Sequence, residues 1–271
     1  MTAGRLPVVF FGHGSPMIAL ETNATTKRWA AIAEAIGKPK AILCVSAHWV
    51  TRGIGVTAME RPKTIHDFGA FPQALFDVQY PAPGAPDLAA RVKELLSPEP
   101  VHLDQSAWGL DHGTWSVLCK AYPEADVPVV QLSMDGTRPA SWHFQMGQRL
   151  QALRDEGVLI VGSGNVVHNL PRMDWNARNG QPFPWSQRFH DYIRAAIAND
   201  RPMDAVNFEA LGEDAKLSVP TPEHYWPLLY VLGARMPGDT ATFGPEHIEH
   251  GSLSMLTTII GETRRPIATA A

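Results

Sequence analysis

Five short apolar runs recur along this chain, at residues 8–11, 41–45, 101–103, 127–132 and 158–161. A bounded apolar run of this kind reads as a strand buried on both faces, as in parallel sheets. Stretches with helical spacing separate the runs, at 26–36, 87–96, 115–122 and 141–156. Pro86 stands where a first helical turn opens and Gly157 where a helix stops. Strand alternating with helix predicts an α/β sandwich, with a central, mostly parallel or mixed sheet flanked by helices. Beyond Asn169 the pattern becomes irregular, with Gly180, Pro182 and Pro184 expected in a loop. Helices are expected at 185–199 and 223–232, and an edge or antiparallel strand at 253–260. No repeat or linker interrupts the pattern, so residues 1–271 read as one catalytic domain with its core at 8–261 and a frayed tail at 264–271.

Composition excludes several classes. The chain is 45% hydrophobic and 18% charged with a net charge of -4, enough apolar content for a sizeable core and no basic stripe for nucleic acid. No apolar stretch approaches the ~20 residues of a membrane span, and the N-terminal run is too short for a secretory signal. Two cysteines, Cys44 and Cys119, make no disulfide framework. A cytoplasmic setting is expected, and homo-oligomerisation is left open.

Chemistry is concentrated at the ends of the apolar runs. In open α/β sheets, ligands collect outside the carboxyl ends of the strands. His13, in Gly12-His13-Gly14-Ser15-Pro16, and His48, in Ser46-Ala47-His48-Trp49, follow two such runs. The glycines beside His13 allow positive φ and close backbone approach. His168 follows a third run through Gly162-Ser163-Gly164-Asn165, as a metal ligand or a group beside one. His224, after Glu223 in a proline-stiffened loop, offers two further donors, and His112, in Gly109-Leu110-Asp111-His112-Gly113, is a candidate for proton transfer. His66, Trp49 and Ser15 are candidate substrate contacts, and Phe68, Trp115 and Trp226 candidate walls of an aromatic pocket. His102, His143, His190, His247 and His250 carry no comparable placement. A phosphate loop is excluded because no Gly-Lys-Ser/Thr ending follows Gly14, and Val161 and Val167 break the nucleophile-elbow and dinucleotide patterns.

Six motifs occur in one order: Gly12-His13-Gly14-Ser15-Pro16, Ser46-Ala47-His48-Trp49, Thr64-Ile65-His66-Asp67-Phe68, Gly109-Leu110-Asp111-His112-Gly113-Thr114-Trp115, Gly162-Ser163-Gly164-Asn165 with His168-Asn169, and Pro222-Glu223-His224. Together they resemble the 4,5-DOPA extradiol dioxygenase branch of the class III extradiol ring-cleaving dioxygenases, over residues 8–261. The resemblance implies a single-domain α/β fold with one non-haem metal at the strand ends. His13 and His48 match its two histidine ligands. The third position, glutamate in protocatechuate-type relatives, corresponds to His224, with His168 near enough to be a fourth ligand or an acid–base group and Glu223 the fallback carboxylate.

The same resemblance implies iron(II)-dependent opening of a catechol ring by O2 beside the two hydroxyls, with His112 and His168 moving the two protons required. An imidazole-rich site suits zinc as well. The competing expectation is therefore a zinc hydrolase built on the same histidines. A third is a metal- or partner-binding protein without turnover.

Overall fold

The structure is a computed structural model and describes residues 4–176 and 181–268. Ten strands are described: β1 (Val8–Gly12), β2 (Ala41–Thr51), β3 (Ile54–Thr57), β4 (Val101–Asp104), β5 (Val129–Asp135), β6 (Val158–Gly164), β7 (Ala241–Phe243), β8 (Ile248–Glu249), β9 (Leu253–Ser254) and β10 (Thr258–Ile260). The helices are α1 (Ala24–Ile36), α2 (Gln73–Phe76), α3 (Pro86–Leu96), α4 (His112–Ala121), α5 (Ala140–Arg149), α6 (Ala152–Asp155), α7 (Pro184–Ala198), α8 (Pro202–Val206), α9 (Glu213–Ser218) and α10 (Trp226–Gly233).

Eight strands form one mixed sheet in the order β4-β3-β5-β2-β6-β1-β10-β7, and β8 pairs with β9 apart from it. The middle of the sheet, β5-β2-β6-β1, is parallel throughout. Antiparallel joins bring in β3 on one side and β10 and β7 on the other. This is the expected fold class, a single α/β domain.

Alternation along the central strands divides the core. Val8 and Phe10 of β1, with Leu43 and Val45 of β2, pack under α5, α7 and α10. Val9, Phe11, Ile42 and Cys44 face Trp29, Ile32 and Ile36 of α1 and Trp115 and Leu118 of α4. Trp29, Ile32, Ala33 and Ile36 recur at helical spacing and are buried, so one stripe of α1 is committed to the sheet. That helix starts at a reciprocal cap: Asn23 Oδ1 accepts from the Thr26 amide and Thr26 Oγ1 from the Asn23 amide, both at 3.0 Å.

Several boundaries differ from expectation. β2 continues to Thr51, and its register to β5 shifts between Val45↔Leu132 and Val50↔Met134, a bulge that holds His48 inside the strand. The stretch 141–156 is two helices, broken at Leu150 and Gln151. α4 begins three residues earlier than expected because Asp111 caps it, and α10 begins at Trp226, with Pro227 in its first turn. The segment 253–260 divides into β9 and β10. β10 is antiparallel but interior, with β7 on the edge. Of the tail, Arg265 N–H donates to Ala35 O at 3.1 Å and Ala268 O accepts from Arg28 at 2.5 Å; residues 269–271, like Gly180 of the expected loop, lie outside the described residues.

Candidate active site

Four histidines reach one rim of the sheet by different routes. His13 is the first residue after β1, its amide bonded to Gly164 O at 3.1 Å, and Gly14 follows at φ 64°. His48 projects from the β2 bulge. His168 follows β6, held by its amide to Ser218 O at 2.9 Å and by a bridge to Leu253. His224 comes from the loop before α10, and its carbonyl accepts from the Asn165 amide at 2.8 Å. A Cβ at position 164 would lie 2.2 Å from that carbonyl oxygen, so glycine is required where His224 crosses the end of β6.

The ring centroids of His13, His48 and His224 form a nearly equilateral triangle, with sides of 5.2, 5.4 and 5.0 Å. Each ring turns Nδ1 toward an oxygen. His13 Nδ1 is 3.0 Å from Ser163 Oγ, whose own proton goes to Gly113 O at 2.5 Å, so the imidazole is the donor. His48 Nδ1 lies 3.6 Å from Asp67 Oδ2, and His224 Nδ1 3.3 Å from Glu223 Oε1. The Nε2 atoms of His13 and His48 face each other at 3.3 Å. A proton on His48 Nε2 closes that gap as a hydrogen bond, and a cation held by both lone pairs closes it equally well. Metal-binding histidines present the same pattern, one ring nitrogen anchored on an oxygen and the other on the ion.

Burial keeps these imidazoles neutral, the form that binds a metal. It lowers His13 and His224 well below the usual histidine value, and the neighbouring imidazoles add to the effect. His48 falls to about 3, by burial first and then by the charge of His112, with Asp67 opposing. His168, lowered to about 4 by burial, stacks on His224 at 3.5 Å with its plane 5° away. His168, Glu223 and His224 can bring donor atoms within 4.8 Å of one another, as can His13, His48 and His112.

His112 opens α4 with its ring centroid 3.7 Å from that of His48. Asp67 ties the two together. Its Oδ1 accepts from the His112 amide at 2.9 Å and contacts His112 Nδ1 at 3.0 Å. Burial works to raise the Asp67 carboxyl, but the contacts with His112 outweigh it and hold it below its ordinary value. Behind it, Asp111 is raised to about 6 by burial and by the charge of Asp67, and is held by Ser46 Oγ at 2.7 Å and by Gln131.

A cavity of about 670 Å³ opens above these rings, with His13, His48, His112, His168 and His224 in its floor. Ser15 and Phe68 line it. Trp49 does not; it stacks on Trp108 at 5.6 Å, beneath the bulge. Nor does His66, whose Nε2 pairs with Val78 O at 2.9 Å, or Trp115, whose indole donates to Ile65 O, or Trp226, stacked on His143. The cavity wall also contains Met17, Phe71, Trp175, Glu249 and His250, which no local motif had marked. His250 and Glu249 arrive on the β8–β9 hairpin, which the His168–Leu253 bridge brings to the rim. Asp67 had appeared only as a neighbour of His66.

Residues 9–254 match the family model described as the catalytic LigB subunit of aromatic ring-opening dioxygenase. The chain belongs to this LigB family. It is an extradiol aromatic ring-cleaving dioxygenase by that membership and by its relatives. An Escherichia coli K12 protein named 4,5-DOPA dioxygenase extradiol is 54% identical over 264 residues, 96% of this chain and 97% of its own. A Beta vulgaris protein of the same name is 38% identical over 237 residues, 83% of this chain and 85% of its own. The crystal structure of the uncharacterized protein JW3007 from Escherichia coli K12 matches with a TM-score of 0.82 at 49% identity, covering 95% of this chain and 100% of that one. This LigB-family chain has, among its described residues, no helix long and apolar enough to cross a membrane, and both cysteines are free. Cys44, pushed up to about 12 by burial, is an inert thiol of β2, packed on the α1 and α4 side of the sheet.

Proposed function

We propose that His13, His48 and His224 hold one non-haem metal, iron(II) in the active enzyme with zinc able to occupy the same donors, and that the substrate is a catechol of the DOPA type, opened by O2 beside its hydroxyls. The observation that carries this reading is the convergence of three buried imidazoles, with ring centroids 5.0, 5.2 and 5.4 Å apart, on the floor of a cavity. When bound, such a metal supplies a Lewis-acid centre that favours the ionised catechol, and a redox partner for O2.

The chain's own residues supply the rest. Ser163 and Glu223 hold the His13 and His224 rings from behind, and the Asp67 carboxylate lies 3.6 Å from His48 Nδ1, so the donor set is largely organised before substrate arrives. His168, neutral through burial, can accept a proton from a catechol hydroxyl. His112 is anchored through its amide to Asp67, whose carboxylate, 3.0 Å from Nδ1, offsets positive charge when the ring takes up a proton. Phe68 and Phe71 offer apolar faces to an aromatic ring, and Ser15, whose Oγ accepts from the Met17 amide at 3.3 Å, stands at the mouth as a polar contact.

Anaerobic reconstitution with iron(II) followed by a catechol screen on an oxygen electrode tests the reading. The expected result is a yellow ring-opened product with matching O2 uptake. Hydrolysis of an ester or amide without O2 uptake would replace it with the zinc hydrolase, for which the all-imidazole donor set is equally suited.

A further inference from the structure

The outer wall of the cavity differs in charge from its imidazole floor. Among the described residues lining it, the carboxylates are Glu21 and Glu249, and none is Lys or Arg. Glu249 is half-buried, and its Oε1 accepts from His247 Nε2 at 3.2 Å. Its Oε2 borders the loop that carries His13: a Cβ on Gly14 would lie 3.7 Å from it. Glu21 is the second lining carboxylate, its Oε2 accepting from Asn23 Nδ2 at 2.7 Å. In the same lining, Trp175 is 75% exposed and meets the His250 ring at 5.1 Å, and His250 Nδ1 is buried without a partner among the described residues.

The described residues of this wall offer an anionic side chain no cationic partner. A catechol whose hydroxyls face the imidazole floor would direct its substituent toward the wall. A carboxylate there would meet Glu249 with no Lys or Arg among the described lining residues to offset the repulsion. An ammonium would meet the open Oε2, with the face of Trp175 as a second attraction. Resting on the ring-cleaving reading of this cavity, we propose that Glu249, assisted by Glu21, selects catechols whose side chain carries a protonated amine. The ammonium is the group recognised. A carboxylate beside it adds nothing.

Three catechols of matched length separate the possibilities: one with a 2-aminoethyl chain, one with an ethyl chain and one with a 2-carboxyethyl chain. Binding to the iron(II)-loaded protein is measured anaerobically by tryptophan fluorescence, and O2 uptake is recorded separately. The amine should bind roughly tenfold tighter than the ethyl compound, the scale of one charge-assisted hydrogen bond, and the acid more weakly than both. Glu249→Gln should bring the amine-to-ethyl ratio close to one, Glu249→Lys should favour the acid, and Glu21→Gln should move the ratio less. An unchanged ratio in Glu249→Gln, or an acid that binds the parent as well as the amine does, overturns the proposal. Amine-selective binding without O2 uptake would support the charge assignment and defeat the ring-cleaving reading. Ring cleavage with uniform affinities would do the reverse.

Discussion

Two sets of buried histidines in this molecule share an environment and differ in what they face. His143 and His190 are as buried as His13 and His224, and burial lowers all four below the usual histidine value. Each of the first pair sits among other kinds of side chain. His143 contacts Tyr230 Oη at 3.2 Å and stacks on Trp226, and His190 contacts Ser254 Oγ at 3.0 Å. In the second set imidazole faces imidazole, the His13 ring lying 5.2 Å from His48 and 5.4 Å from His224. Burial alone produces a neutral imidazole, which is ordinary packing; several imidazoles gathered around one point produce a place for a cation.

Removing one ring from each set gives the largest contrast. His13→Ala, His48→Ala and His224→Ala should each abolish metal retention through desalting, read by elemental analysis, whereas His143→Phe should retain a full equivalent. Normal metal content in His13→Ala would remove the distinction between the sets. His112 tests its boundary, since it touches His48 but is assigned no ligand role. His112→Ala should keep its metal and lose about 10²- to 10⁴-fold in ring-cleavage rate, the range for a lost proton-transfer group. Loss of metal together with rate would move His112 into the ligand set.

The same contrast explains how much of the site was legible in the chain. His13 and His48 stand at the ends of apolar runs, and such runs are readable because β1, β2, β5 and β6 are buried on both faces. His143 and His190 lie within helices, whose local pattern marks burial without purpose. β3 and β7 were not readable: Ile54-Gly55-Val56-Thr57 and Ala241-Thr242-Phe243 are short and become strands through their neighbours. Asp67, Glu249 and His250 escaped for a related reason. Their roles depend on a loop contact with α4 and on a two-residue hairpin bridged to His168, pairings that no local spacing records. The indoles misled in the other direction, because an aromatic beside a motif fills the core as readily as it lines a pocket.

Acid lability sharpens the comparison from the packing side. In the fold, His143 is lowered to about 4 by burial, against 6.5 for the free side chain. The unfolded chain therefore binds a proton at this position first, and stability falls as pH drops from about 6.5 through 4. The shift corresponds to about 3 kcal/mol over that window. His143→Phe should flatten the loss by a comparable amount in urea titrations at pH 7 and pH 4. Identical slopes in parent and variant would show that His143 is not held neutral.

The finest contrast lies in two serines with the same local geometry. Ser163 Oγ and Ser254 Oγ each sit 3.0 Å from a buried histidine Nδ1, that of His13 and that of His190 respectively. Ser163 spends its proton on Gly113 O and so fixes the His13 tautomer that bares Nε2 toward the centre. Ser254 holds a ring outside the cavity lining, accepting also from the Leu256 amide at 3.2 Å. Ser163→Ala should weaken metal binding by roughly 10- to 100-fold, the usual effect of losing a partner behind a ligand, measured by competition with a chelator. Ser254→Ala should reduce stability, by about 1 kcal/mol for a lost hydrogen bond, while metal affinity stays at the parent value. Equal metal affinities in both variants would mean that anchoring of Nδ1 does not separate the two sets, leaving convergence of the imidazoles as the property that does.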